Sequence, residues 1–150
     1  MGKFIILSFV SLLTSLPSFS AVPQEISKLM NKLGVFISYV NGNVYKEDDG
    51  TPCQVIMNPY GGESSIAIES RAYDLPVAHL DGAKKSVEDN TVYFKTNETG
   101  KRPGGSVCGD VTPLTSYSKT VEVSGNKLII REKMRCLLSK TEIIQGCLVK

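Results

Sequence analysis

Hydrophobic residues recur along this chain first as a nearly continuous run, then at a helical period, then at a period of two. Phe4 to Leu13 is apolar apart from Ser8 and Ser11. Ile26, Leu29, Met30 and Leu33 then fall at i, i+3, i+4 and i+7, which predicts one stripe of an amphipathic helix over Pro23–Leu33. Pro23 suits a first helical turn, Glu25 the positive helix start, Lys32 the negative end and Gly34 a left-handed cap. From Val35 the period becomes two. Val35 to Val40, Cys53 to Met57, Ser65 to Glu69, Thr91 to Lys95, Thr120 to Ser124, Leu128 to Cys136 and Ile143 to Val149 read as strands. An eighth, around Ala72 to Leu80, would be confined to an edge by Pro76. Ser124-Gly125-Asn126-Lys127 is tight-turn chemistry between two of these strands. Short strands in succession without helices between them predict a mostly β fold: an antiparallel meander closing into a small β-barrel, with a β-sandwich as the alternative. The short N-terminal helix would cover one mouth or edge.

The opening run has the marks of a cleaved leader. Lys3 gives a positive n-region, Phe4 to Leu13 an h-region too short to span a bilayer comfortably, and Ser18-Phe19-Ser20 small residues at −3 and −1. The expectation is a signal peptide over 1–20, cleaved before Ala21, and a single domain over 21–150 that is secreted or periplasmic. No later apolar run is long enough for a transmembrane segment in the mature chain. Losing the leader removes Lys3 and leaves sixteen Lys and Arg against fifteen Asp and Glu, a balance that argues against nucleic-acid or general membrane-surface binding. With 41% hydrophobic and 21% charged residues the chain has the composition of an ordinary folded domain.

Four cysteines, Cys53, Cys108, Cys136 and Cys147, lie in the mature part without the CxxC spacing of zinc or redox sites, so two structural disulfides are expected. Three pairings are possible and the sequence does not choose. A local Cys136–Cys147 bridge with Cys53–Cys108 comes first, because Cys136 and Cys147 are in phase with the apolar residues of adjacent strands. Directly opposed cysteines would centre that hairpin on Thr141-Glu142, which lacks the Gly or Asn that tight turns favour.

Catalytic parts are scarce. His79 is the one histidine, and Gly104-Gly105-Ser106-Val107-Cys108 places Cys where a nucleophile elbow needs its second glycine. Glu47-Asp48-Asp49-Gly50 lacks the spaced carboxylates of a calcium loop and reads as a solvated turn. No cofactor, metal site or enzyme activity is expected. Two features point instead to binding. The stretch 97–113 is a long loop showing Lys101 and Arg102, tied down at Cys108, of the kind that inserts into a partner's cleft. Lys127, Arg131, Lys133 and Arg135 alternate along one strand, broken by Ile129, and so share its outward face. Asn97-Glu98-Thr99 is an N-glycosylation acceptor sequence if the source is eukaryotic.

The reading that follows is a non-enzymatic binding or inhibitory module, acting outside the cell or in the periplasm through the loop or the basic face. Its partner would be an extracytoplasmic protein or an anionic glycan. The order of short helix, Gly34-Val35-Phe36 and strand meander resembles the start of a lipocalin-type barrel over those few positions only; the chain has no Trp, and the likeness assigns no family. A carrier of a small apolar ligand is therefore the alternative, and a small secreted hydrolase ranks last.

Overall fold

The structure, a computed structural model, describes residues 22–46, 50–58, 64–71, 75–98, 114–137 and 139–150. It is mostly β. The strands are β1 Leu33–Val40, β2 Asn43–Lys46, β3 Pro52–Met57, β4 Ser65–Ser70, β5 Val77–His79, β6 Lys84–Glu88, β7 Thr91–Lys95, β8 Leu114–Ser124, β9 Lys127–Cys136 and β10 Lys140–Val149. They form one antiparallel sheet in the order β5-β4-β3-β1-β10-β9-β8-β7-β6, with β2 paired to β1, and the sheet curls into a half-barrel. Inward alternation builds the core: Phe36, Val55, Ile66, Ile68, Phe94, Val121, Leu128 and Ile130 belong to one buried cluster with Ile26 and Leu29.

Two strands carry no apolar alternation and escaped the sequence reading. β2 follows a two-residue turn at Asn41-Gly42, both with positive φ, and runs back along β1. This is a type I′ signal that Val40-Asn41-Gly42-Asn43 displays openly. β6 is exposed along its whole length and is joined to β7 by Asp89-Asn90, again with both φ positive. The expected turn at Gly125-Asn126 is present, with Ser124 opposite Lys127. β5 ends the sheet path, as Pro76 before it implied.

The helix is shorter than the stripe suggested. α1 covers Gln24–Ser27 alone. Ile26 and Leu29 are buried as expected and Met30 packs against the core, but Leu33 is 66% exposed and opens β1. Backbone pairing with β3 displaces the helix: Met30 bridges Val55, and the Asn31 amide donates to the Val55 carbonyl at 2.8 Å with Asn31 at φ 59°. Gly34 is thus a strand residue and not a helix cap. A Cβ there would stand 2.6 Å from the Leu148 carbonyl oxygen and 2.8 Å from the Cys147 sulfur.

That sulfur belongs to the Cys53–Cys147 disulfide, which corrects the expected local pairing. β9 ends at Cys136 and β10 begins at Lys140, with the Cys136 amide donating to the Ser139 carbonyl, so the hairpin is not centred on Thr141-Glu142. Cys147 therefore faces Leu128, eight residues from Cys136, or roughly 26 Å along the strand. Cys136 is itself disulfide-bonded. Cys108 lies outside the described residues, as do Lys101 and Arg102.

The strands at the two ends of the path, β5 and β6, are consecutive in sequence, and no ladder joins them among the described residues. A polar seam lies close by. The buried Lys119 ammonium on β8 donates to the Val77 carbonyl on β5 at 2.7 Å, is 2.7 Å from a Glu98 carboxylate oxygen, and is 3.7 Å from Glu132. The other Glu98 oxygen accepts from the His79 amide at 2.8 Å.

Two stability outcomes follow from these contacts. Gly34→Ala should lower unfolding free energy by about 1–3 kcal/mol in urea titration, since backbone and disulfide leave no room for the methyl. Lys119→Met should cost about 3–5 kcal/mol by stranding two sheltered carboxylates, with Lys119→Arg recovering part of the loss. A Met variant as stable as the parent would show that the seam does not hold β5 to β8.

Candidate functional site

Because the inward positions of β8, β9 and β10 are taken by the core, the alternate positions form an outward grid whose rows are set by register. Thr120, Arg131 and Ile144 make one row, Ser118, Lys133 and Glu142 the next, and Ser116, Arg135 and Lys140 the one nearest the β9–β10 return. The sequence-predicted basic stripe is thus on one face, but its middle members, Arg131 and Lys133, are matched by acids. Arg131 binds Glu122 through Nε and through Nη2, the latter at 3.0 Å, and its Nη1 donates to Glu142 at 2.9 Å. Lys133 Nζ lies 3.5 Å from the same Glu142. Hydrogen bonds from Glu122, then Glu142, hold the guanidinium protonated more firmly than usual against a partial desolvation. Hydrogen bonding to Arg131 lowers the Glu142 carboxyl below the usual glutamate value; partial burial opposes this, and the charges of Arg131 and Lys133 add to it.

Arg135 and Lys140 are directly opposed across the ladder, with Ser116 as the third member, and none of the three is acidic. They edge an open cleft of about 590 Å³ that continues over the end of the sheet past Tyr117, Thr141 and Asn41. Asn41 is held there twice: its side-chain oxygen accepts from the Glu142 amide, and its own amide donates to the Glu142 carbonyl, both at 2.8 Å. Lys133 and Arg135 had been singled out in the sequence; Lys140, Ser116, Ser118 and Asn41 had not. Their signal was present in the alternation of Ser116, Ser118 and Thr120 and of Lys140 and Glu142. It needed the register to connect it with β9.

His79 Nδ1 is 2.6 Å from Ser65 Oγ, and Ser65 has no exposed surface. Asn97 is exposed and donates through Nδ2 to the Gly82 carbonyl at 2.8 Å. No group of three His, Cys, Asp or Glu suited to a metal occurs among the described residues. No helix among them is long and apolar enough to cross a membrane. No protein-family model matches the sequence, and no curated protein matches it either.

The Arg131–Glu142 contact has a measurable pH signature. Glu142 should titrate below the free-glutamate value of about 4.3, and Arg131→Met should move its midpoint up, read by NMR of the side-chain carboxyl. Since the folded-state pKa is the lower one, the stability it contributes is complete above the unfolded pKa and disappears as pH falls through the folded pKa. An unchanged Glu142 midpoint in the variant would remove Arg131 as the cause.

Proposed function

We propose that this chain is an exported, non-enzymatic binding protein that receives an anionic partner on its basic strand face, at the cleft beside the β9–β10 return. The observation that carries the reading is the convergence of Lys133, Arg135 and Lys140 on one open cleft, whose volume falls in the range of roughly 300–1,000 Å³ common to ligand sites. The leader over 1–20 and the disulfide chemistry are compatible with action in the periplasm or outside the cell. Lys101 and Arg102 lie outside the described residues, so the inhibitory-loop version draws no support from geometry. The carrier version is less favoured because the inward apolar side chains pack into one continuous buried cluster.

Retention of the mature, oxidised protein on an immobilised polyanion such as dextran sulfate, as a function of salt, tests the reading. Replacing Lys133, Arg135 and Lys140 together by Ala should weaken binding on the order of tenfold, since each exposed charge contributes modestly. The melting temperature should change little, because all three side chains are exposed. Retention equal to that of the parent would exclude the basic face.

A further inference from the structure

The sheet path ends on β6, and among the described residues that strand pairs with β7 alone. It is exposed along its whole length, Val87 to 65%. An edge of this kind offers a row of backbone donors and acceptors to another extended chain, and the turn decides which residues carry that row. Asp89-Asn90 is a two-residue turn with both φ positive, so the flanking Glu88 and Thr91 exchange their backbone hydrogen bonds. Bonding alternates along an antiparallel ladder. Ser86 and Lys84 therefore also bond to β7, while Lys85 and Val87 turn their amides and carbonyls to the free edge.

The side chains define what fits there. Lys84 stands directly opposite Lys95, both are exposed, and neither is within ion-pair distance of an acid among the described residues. Like charges directly opposed across a ladder are destabilising. Glu88, at the other end of the strand and on the same face, has no basic partner among the described residues either. Lys85 is engaged: it binds Glu25 of α1 and lies 5.9 Å from the centroid of the Phe94 ring. A strand that brings an acid beside Lys84 and a base beside Glu88, and bonds at the positions of Lys85 and Val87, is β6 itself run antiparallel. We infer that two copies join β6 to β6 about a twofold axis at Ser86 and, resting on the proposed binding role of the basic face, present two such faces to one anionic polymer.

In this register Lys84 of each copy falls opposite Glu88 of the other, and Lys85 and Val87 exchange backbone hydrogen bonds across the axis in both directions. A shift towards the start of the strand sets Lys85 against Lys85, and a parallel pairing sets Lys84 against Lys84. Edge lysines commonly discourage pairing; here they select one register by penalising others. A strand of 5 residues on each side buries far less than the roughly 1,200 Å² of a stable interface, so the association is weak and concentration-dependent. Ser86, Tyr93, Glu122 and Ile129 form one outward row from β6 to β9, and the axis sets the rows of the two copies end to end. The two β9 strands are then seven strand spacings, at most about 34 Å, apart on the same side of a continuous sheet. A polymer longer than that reaches both and gains avidity.

Sedimentation velocity and NMR of the mature, oxidised protein from about 10 μM to about 1 mM test the pairing. The average mass should rise towards twice that of the monomer, with amide shifts confined to 84–88 and the adjoining β7. Lys84→Glu and Glu88→Lys should each weaken association roughly tenfold, because either change sets like charges opposite each other at two places. The two changes together should restore it. Val87→Pro removes an edge donor without touching the β7 ladder, and should give a monomer that melts close to the parent. A protein that stays monomeric at the highest concentration, or a double variant no better than the single ones, would overturn the pairing. On immobilised dextran sulfate the Val87→Pro protein should elute at lower salt than the parent, and elution together with the parent would overturn the shared use of one polymer. Because the Lys133, Arg135 and Lys140 replacements read the binding role without altering β6, failure of that role and failure of the pairing are told apart.

Discussion

The Cys53–Cys147 bridge is the constraint around which the half-barrel is arranged. β3 and β10 both pair with β1, on opposite edges, so in a flat sheet they would run about 9.6 Å apart. The two cysteine Cα atoms are 5.9 Å apart. The sheet must fold sharply about β1 for this to hold, and Gly34 is where it does so: the bridge passes so close that no side chain fits beneath it. The cross-link spans 94 positions of sequence, a loop for which the chain-entropy model gives roughly 4–5 kcal/mol of stabilisation. Curvature, core and cross-link are one feature seen from three sides.

Bending the sheet there divides the interior lengthwise. Around the bridge the rows are apolar: Val123, Leu128, Cys147 and Phe36 succeed one another across four strands, and Ile26 and Leu29 pack with them. Two rows further along β8 and β9, Lys119 stands opposite Glu132, with Glu98 and the Val77 carbonyl completing the cluster. The next row, Tyr117 and Met134, borders the cleft. The molecule therefore has a closed apolar end fixed by a covalent bond and a polar end fixed by charges. The basic rows of the outer face terminate at the polar end. This arrangement keeps the candidate ligand groups on rigid strands while leaving the space beside them open.

How much of this was legible follows from what each residue's pattern depends on. Strands that alternate against a core, such as Thr91–Lys95 and Ile143–Val149, could be read from spacing because burial imposes period two. The exposed β6 could not be read that way, since nothing apolar marks its faces. The helical stripe misled over length. Ile26, Leu29 and Met30 are core-facing as their spacing implied, but the turn after Ser27 is decided by hydrogen bonds to Val55, a partner more than twenty residues away. The cysteine pairing failed for the same reason: phase placed Cys136 and Cys147 on the inward face, and only the position of the hairpin return separates them. The basic stripe was visible on β9 alone. The acids that neutralise its middle and the lysine that extends its end lie on β8 and β10, so the true charge pattern is a property of register and not of any one strand.

One pairing deserves to be followed in time. β1 lies between β3 and β10, and its longest ladder, from Gly34 opposite Val149 to Val40 opposite Ile143, joins segments more than a hundred residues apart. Hairpins such as β8–β9 close over two residues and can form as soon as their strands exist. The bent centre of the sheet cannot, because one of its three strands, β10, is the last of the described strands to be synthesised. Non-local pairing of this kind slows folding. Until β10 arrives, the edge of β1 that it will cover is open to any other extended chain. The docking of β10 therefore does two things at once: it completes the bent centre of the sheet and closes the edge of β1 to other chains.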